Sequence, residues 1–194
     1  MFTEPAVLRE SARGTEALRL ADEHFAARRI FLTGEVSAES MNSLLMSLIH
    51  LEEEAPGEPV TLFVNSPGGE VTSGLAVYDY LRGMRSPVTT VCTGTAASMG
   101  AILFLAGQER LMFSHSKLMI HDPAYGSAPA GEKPRQMEER LRDLRRTQQV
   151  LSGIIAERTG HPVSEIDEIT QYDSWYPAGE AVAFGLATGI YGRD

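Results

Sequence analysis

Two short β-branched stretches constrain this chain most: Val60-Thr61-Leu62-Phe63-Val64, and residues 88–93, each leave through a turn of small residues into a helical pattern. A continuous apolar run of that length suits a strand covered on both faces. A strand–turn–helix unit that repeats argues for a parallel sheet flanked by helices. In such a sheet the loops at the carboxyl ends of the strands open on one edge, so the two turns are neighbours. The first, Asn65-Ser66-Pro67-Gly68-Gly69-Glu70, has adjacent glycines that permit positive φ and leave backbone N–H groups unobstructed. It is either a tight turn and nothing more, or an anion-binding turn. The second, Ala97-Ser98-Met99-Gly100-Ala101-Ile102, sends a serine into an apolar helix over 101–106. Ser98 is either an N-cap or a nucleophile placed where free helix amides favour negative charge. Neither turn matches Gly-x-Gly-x-x-Gly or a Walker loop, so a nucleotide site is a poor fit.

Around this centre the remaining segments follow the same alternation. Residues 1–18 mix Pro, Gly, Ser and charge with little periodicity and read as a mobile arm, leaving 19–194 as one head domain. A short helix over 16–28 carries Leu18, Leu20 and Phe25, and Arg29-Ile30-Phe31-Leu32-Thr33-Gly34 is a strand closed by glycine. Ser37 is positioned to cap the next helix, with Ser40 not completing a capping box, and Met41, Leu44, Leu45, Leu48 and Leu51 fall at helical spacing. A second helix spans 71–85. Leu111-Met112-Phe113 and Lys117-Leu118-Met119-Ile120 are short strands, the latter delivering His121. Residues 124–136 form a loop.

From Met137 to Arg158 a long charged helix carries a narrow seam of Met137, Leu141, Leu144, Leu151 and Ile155, broken at Gln148. That seam suits packing on another helix better than entry into a core. Gly160 ends this helix, Ser164 starts another, 179–184 is helical and a last strand lies near Ile190.

Composition removes several functions. The net charge of −9 and the interleaving of arginines with acids on the long helix argue against nucleic acid. A lone cysteine, Cys92, in an apolar strand excludes an internal disulfide and reads as a buried inert thiol. The five histidines contain no pair at helical ligand spacing, so no metal and no cofactor is expected. No apolar run reaches membrane-spanning length and the start is polar, which makes a cytoplasmic location the default.

A serine at a helix start, a histidine at a strand end and an acid in a late loop give the order Ser98, His121, Asp173. A hydroxyl needs an imidazole to take its proton, and the imidazole needs an acid to fix its tautomer and stabilise its cation. The backbone N–H groups of Gly69 and Met99 are the candidate oxyanion donors. Spacing alone does not select this trio among 15 serines, five histidines and 26 acids.

Four motifs do select it. Asn65-Ser66-Pro67-Gly68-Gly69, Thr93-Gly94-Thr95-Ala96-Ala97-Ser98-Met99-Gly100-Ala101, Leu118-Met119-Ile120-His121-Asp122-Pro123 and the late Asp173 stand in the order and near-spacing of the ClpP family. Nearly the whole chain resembles that family of proteolytic subunits of the ATP-dependent Clp protease. The resemblance implies a ClpP/crotonase-like α/β fold of stacked β-β-α turns with a projecting handle over about 124–158. It places the nucleophile on Ser98, the base on His121, the orienting acid on Asp173 and the oxyanion donors on Gly69 and Met99. It further implies a serine endopeptidase acting on unfolded proteins and peptides through an acyl-enzyme. The family's chamber is a heptameric ring stacked on a second ClpP-type ring into a tetradecamer. An AAA+ Clp unfoldase feeds it past N-terminal arms.

The sequence departs from the family's pattern at three places. Gln171 and Tyr172 stand where a charged pair commonly bridges rings, the segment before the long helix is longer than usual and holds Pro129 and Pro134, and Thr61 and Gly83 stand where docking aromatics are common. Each missing ring removes about 1.5–3 kcal/mol of burial. These departures imply a divergent paralogue that works with a partner ring or docks its unfoldase weakly. Two rival readings stand beside the peptidase: a weakly active structural or regulatory ring subunit, and an acyl-CoA hydratase of the same broad fold, for which only Glu70 lies near the first loop.

Overall fold

A computed structural model describes residues 5–11, 14–126 and 131–192. Strands β1 (Ala6–Ser11) and β2 (Gly14–Arg19) form an antiparallel ribbon with Val7 opposite Leu18. The expected irregular arm is therefore a hairpin over its described part, while residues 1–4, 12 and 13 lie outside the described residues. The expected helix from Glu16 is also shorter, because 16–19 pair within β2 and only α1 (Leu20–Ala26) is helical.

β3 (Arg29–Thr33) follows, then α2 (Ala38–Glu54), which buries Met41, Leu44, Leu48 and Leu51 along one face. Ser37 caps it, and the expectation about Ser40 is corrected: its hydroxyl accepts the Ser37 N–H at 2.9 Å while the Ser37 hydroxyl accepts the Ser40 N–H at 3.2 Å. A serine supplies the return bond normally made by Glu or Gln, since either needs only an oxygen acceptor within reach.

β4 (Val60–Ser66), α3 (Val71–Gly83), β5 (Val88–Ala97), α4 (Met99–Leu105), β6 (Glu109–Met112) and β7 (Lys117–Ile120) continue the alternation. After α5 (Pro134–Thr159) come α6 (Val163–Thr170), β8 (Ser174–Pro177), α7 (Ala178–Phe184) and β9 (Gly189–Ile190). The sheet runs β3-β4-β5-β6-β9 with every neighbour parallel. β5 is its pivot: residues 89–92 pair with β6, and Thr95, Ala96 and Ala97 pair in parallel with β7, to which β8 adds antiparallel. The fold is a mixed α/β one with a mostly parallel central sheet, as the alternation requires.

The core lies between this sheet and α2, α3 and α4, and every residue of α4 is buried. Cys92 is fully buried, and desolvation raises its thiol pKa. Helix α5 corrects the reading of its seam. Met137 and Leu141 are 52% and 49% exposed, but Leu151 and Ile155 are 8% and 2% exposed and belong to the core. Half the seam thus meets α4 and α6 within this chain and half faces outward. Pro134 occupies the first helical turn, where its missing N–H has no intrahelical partner to lose, rather than a strand. Pro129 lies outside the described residues.

Two arginines lock the helix ends behind the sheet. Arg110 donates to the carbonyls of Leu186, Gly185, Gly107 and Arg158, and Arg158 donates to those of Leu105 and Gly107. Burial, reinforced by the neighbouring Arg158 charge, lowers the Arg110 guanidinium pKa to about 10. At neutral pH the charged group costs stability, and its carbonyl bonds offset that cost.

Candidate active site

Three strands end at the same edge, and their register brings the two small-residue turns and His121 together. Ser66 of β4 pairs with Ala96 of β5, and Ala97 pairs with Met119 of β7, so Gly68, Ser98 and His121 leave adjacent strand ends. β8 runs antiparallel with Ser174 opposite Ile120, which puts Asp173 opposite His121 one step further out. The parallel register sets the serine–histidine approach, and the antiparallel strand sets the histidine–acid approach.

The side chains meet accordingly. The Ser98 hydroxyl lies 2.9 Å from His121 Nε2, and His121 Nδ1 lies 2.9 Å from Asp173 Oδ1. A carboxylate only accepts, so Nδ1 carries the proton and donates to Asp173, leaving Nε2 to accept from Ser98. Asp173 is 66% solvent-exposed on its side chain, and His121 is 30% exposed.

Ser98 is not an N-cap in the working sense. Its side chain makes no cap bond, and its backbone sits at φ 53° and ψ −124°. That conformation is sparsely populated for a residue with a Cβ and costs about 1–3 kcal/mol. It is held by the Ser98 N–H donating to Met119 O and by Ala101 N–H donating to Ser98 O, each at 2.9 Å. In this conformation the hydroxyl meets the histidine instead of capping the helix.

The glycine turn packs directly on this serine turn. A Cβ at Gly68, which has φ 94°, would lie 2.6 Å from Ser98 Cβ, 2.7 Å from Ala97 O and 2.9 Å from Met99 N. Gly69, at φ 145°, is hemmed in by Val36, whose N–H donates to Gly68 O and whose carbonyl accepts from Glu70 N–H. Those bonds fix the turn without using the Gly69 amide, and the Met99 amide stands in the first turn of α4, where no intrahelical acceptor exists. All five residues singled out in the sequence are thus brought to one edge.

Other residues at this edge escaped the sequence reading. Asp122 accepts a bond from Gln148 of α5 at 2.9 Å, and its N–H donates to Thr170 O at 2.7 Å. The residue after the histidine is thereby tied to the long helix and to the segment three residues before Asp173. The break in the apolar seam at Gln148 was the signal for this contact. A narrow apolar pocket lined by Val71, Met99, Ile102, Ile120, Leu151 and Ile155 adjoins Ser98 and His121. Among the described residues no group of three metal-ligating side chains occurs, and no helix is long and apolar enough to cross a membrane.

A hydroxyl, an imidazole and a carboxylate in a hydrogen-bonded chain, beside amides at a helix start, form the arrangement by which serine hydrolases act. The family model described as Clp protease matches residues 12–194, and the chain belongs to the Clp protease family, a family of serine peptidases. Members of that family generally form rings that work with AAA+ unfoldases.

Proposed function

We propose that this chain is the proteolytic subunit of a Clp-type ATP-dependent protease, a serine endopeptidase with Ser98 as nucleophile, His121 as base and Asp173 as orienting acid. The observation that carries the reading is the continuous chain from Ser98 Oγ through both His121 nitrogens to Asp173, with both links at 2.9 Å. Ser98 Oγ attacks the scissile carbonyl as its proton passes to His121 Nε2, and Asp173 stabilises the resulting imidazolium. The Gly69 and Met99 amides receive the oxyanion. Collapse of the tetrahedral species returns the proton from His121 to the departing amine and leaves an acyl-enzyme. Water, deprotonated by the same imidazole, then releases the acid and restores the Ser98 hydroxyl. The apolar pocket beside Ser98, of about 20 Å³, suits only a small apolar substrate group at the cleaved bond.

The quaternary reading is a heptameric ring paired with a second ClpP-type ring, fed with unfolded protein by an AAA+ unfoldase. The outward half of α5 supports a helix-to-helix contact between rings, and Phe31 stacked on Phe63 at 4.9 Å supports a docking surface for the unfoldase. Gln171 and the exposed Tyr172 favour a partner ring that does not rely on ion pairs at these positions. A cytoplasmic location is part of the same reading.

Turnover of a fluorogenic peptide by the purified chain tests the chemistry. Ser98→Ala should lower kcat at least about 10³-fold, in line with loss of a triad nucleophile, while leaving the assembly intact. Retained turnover in that variant would remove Ser98 from the mechanism.

A further inference from the structure

Beside the pocket at Ser98 lies a second cavity of about 390 Å³, and the two share Val71 and Pro123 in their walls. This groove adjoins the pocket at the reacting centre and runs between the start of α3 and the outward half of α5. Its α3 side presents Glu70, Val71 and Leu75, its α5 side presents Asp143 and Leu144, and Tyr125 closes one end. Among the described residues the walls therefore combine an apolar floor with two carboxylates and hold no cationic side chain.

Both carboxylates are oriented by hydroxyl donors. Ser73 Oγ donates to Glu70 Oε2 at 2.9 Å, and Tyr125 OH donates to Asp143 Oδ2 at 3.1 Å. Each bond engages one oxygen and leaves the other oxygen of the same group for a further donor. Arg140 of α5 stacks on the Tyr125 ring at 4.4 Å and pairs with Glu132 at 3.0 Å, so its charge is matched by an acid that does not line the groove. Tyr125 is thus fixed against α5 from its ring face and from its hydroxyl. The acid-lined wall is preorganised, which lowers the ordering cost of binding.

We propose that this groove is a specificity subsite for a lysine or arginine side chain of the substrate, close in sequence to the scissile bond. The methylene stem lies on Val71, Leu75 and Leu144, and the cationic head meets Glu70 and Asp143. An acidic side chain at the same substrate position meets two like charges and is rejected, so the groove discriminates by repulsion as well as attraction. This assignment rests on the peptidase reading above and adds a charge preference to it.

The test uses the full chain in its assembled form and a peptide set cleaved at one bond, in which Lys, Gln or Glu is placed at each of the positions flanking that bond. Cleavage is followed by mass spectrometry, and the readout is the ratio of kcat/KM between peptides within one preparation, which cancels differences in assembly. At one position Lys should be favoured over Gln by about fivefold, the scale of two partly exposed ion pairs, and Glu should be disfavoured. The ratio should fall toward one in the Glu70→Gln, Asp143→Asn double variant and at 0.5 M salt, and Asp143→Glu should retain it. Cleavage without a lysine-favouring position, or a preference that survives the double variant, overturns the subsite and leaves the peptidase reading standing. Absence of any Ser98-dependent cleavage overturns both.

Discussion

Ser98 holds φ 53° although it carries a Cβ, and three neighbours impose that torsion: Met119 O accepts its N–H, Ala101 N–H reaches its carbonyl, and Gly68 packs against its Cβ. The same letters alone favoured a cap over a nucleophile, because a torsion set by β7 and by the glycine turn is a tertiary property. His121 was legible at a strand end and Asp173 in a late loop, but they became partners only through the parallel and antiparallel registers of β7. Gly68 gives a test at this scale. Gly68→Ala places a methyl within 3 Å of Ser98, Ala97 and Met99 at a φ of 94°, and two of those three contacts are with backbone. Destabilisation of about 2–4 kcal/mol should result, together with loss of peptide turnover. Chemical denaturation and a peptide assay check both, and wild-type values in either would show that the two turns are not interlocked.

Among the elements, the strands and helices of the central series were legible from period and length, and α2 buries one stripe, but the apolar run of β4 is buried on one face only: Val60, Leu62 and Val64 enter the core while Thr61 and Phe63 are half-buried and Asn65 is exposed. The β1–β2 ribbon was not, because among its described side chains only Val7 and Leu18 are even half-buried and no alternation of polar and apolar residues marks it. β8 was missed for another reason: its four residues end in Pro177 and gain strand character by pairing on β7. The seam of α5 was correctly placed but assigned one role where it has two. Leu151→Ala should cost about 2–5 kcal/mol of subunit stability by opening the core. The Met137→Ser, Leu141→Ser pair should leave subunit stability within about 0.5 kcal/mol and reduce association instead. Denaturant midpoints of the unassembled chain and native mass spectrometry separate the two, and equal midpoint losses would contradict the division of the helix.

For the whole molecule, large apolar side chains stand exposed at Phe31, Met46, Met137, Leu141 and Trp175, more than a subunit working alone has reason to display. Resemblance to a ring-forming family raised the expectation of an assembly from the sequence, and these exposed side chains are the surface it would cover. Native mass spectrometry of the purified chain should give seven-subunit rings. The double-ring fraction should rise when Gln171→Glu and Tyr172→Arg supply a charged pair, and a spectrum of monomers alone under all conditions would contradict the quaternary reading. The central claim is that Ser98, His121 and Asp173 act as one unit, and labelling by a fluorophosphonate probe tests it most directly. Rapid modification of the assembled protein, mapped to Ser98 by peptide mass spectrometry, is expected, with a loss of at least about 10²-fold in labelling rate in His121→Ala. Modification at another serine, or an unchanged rate in His121→Ala, would contradict it.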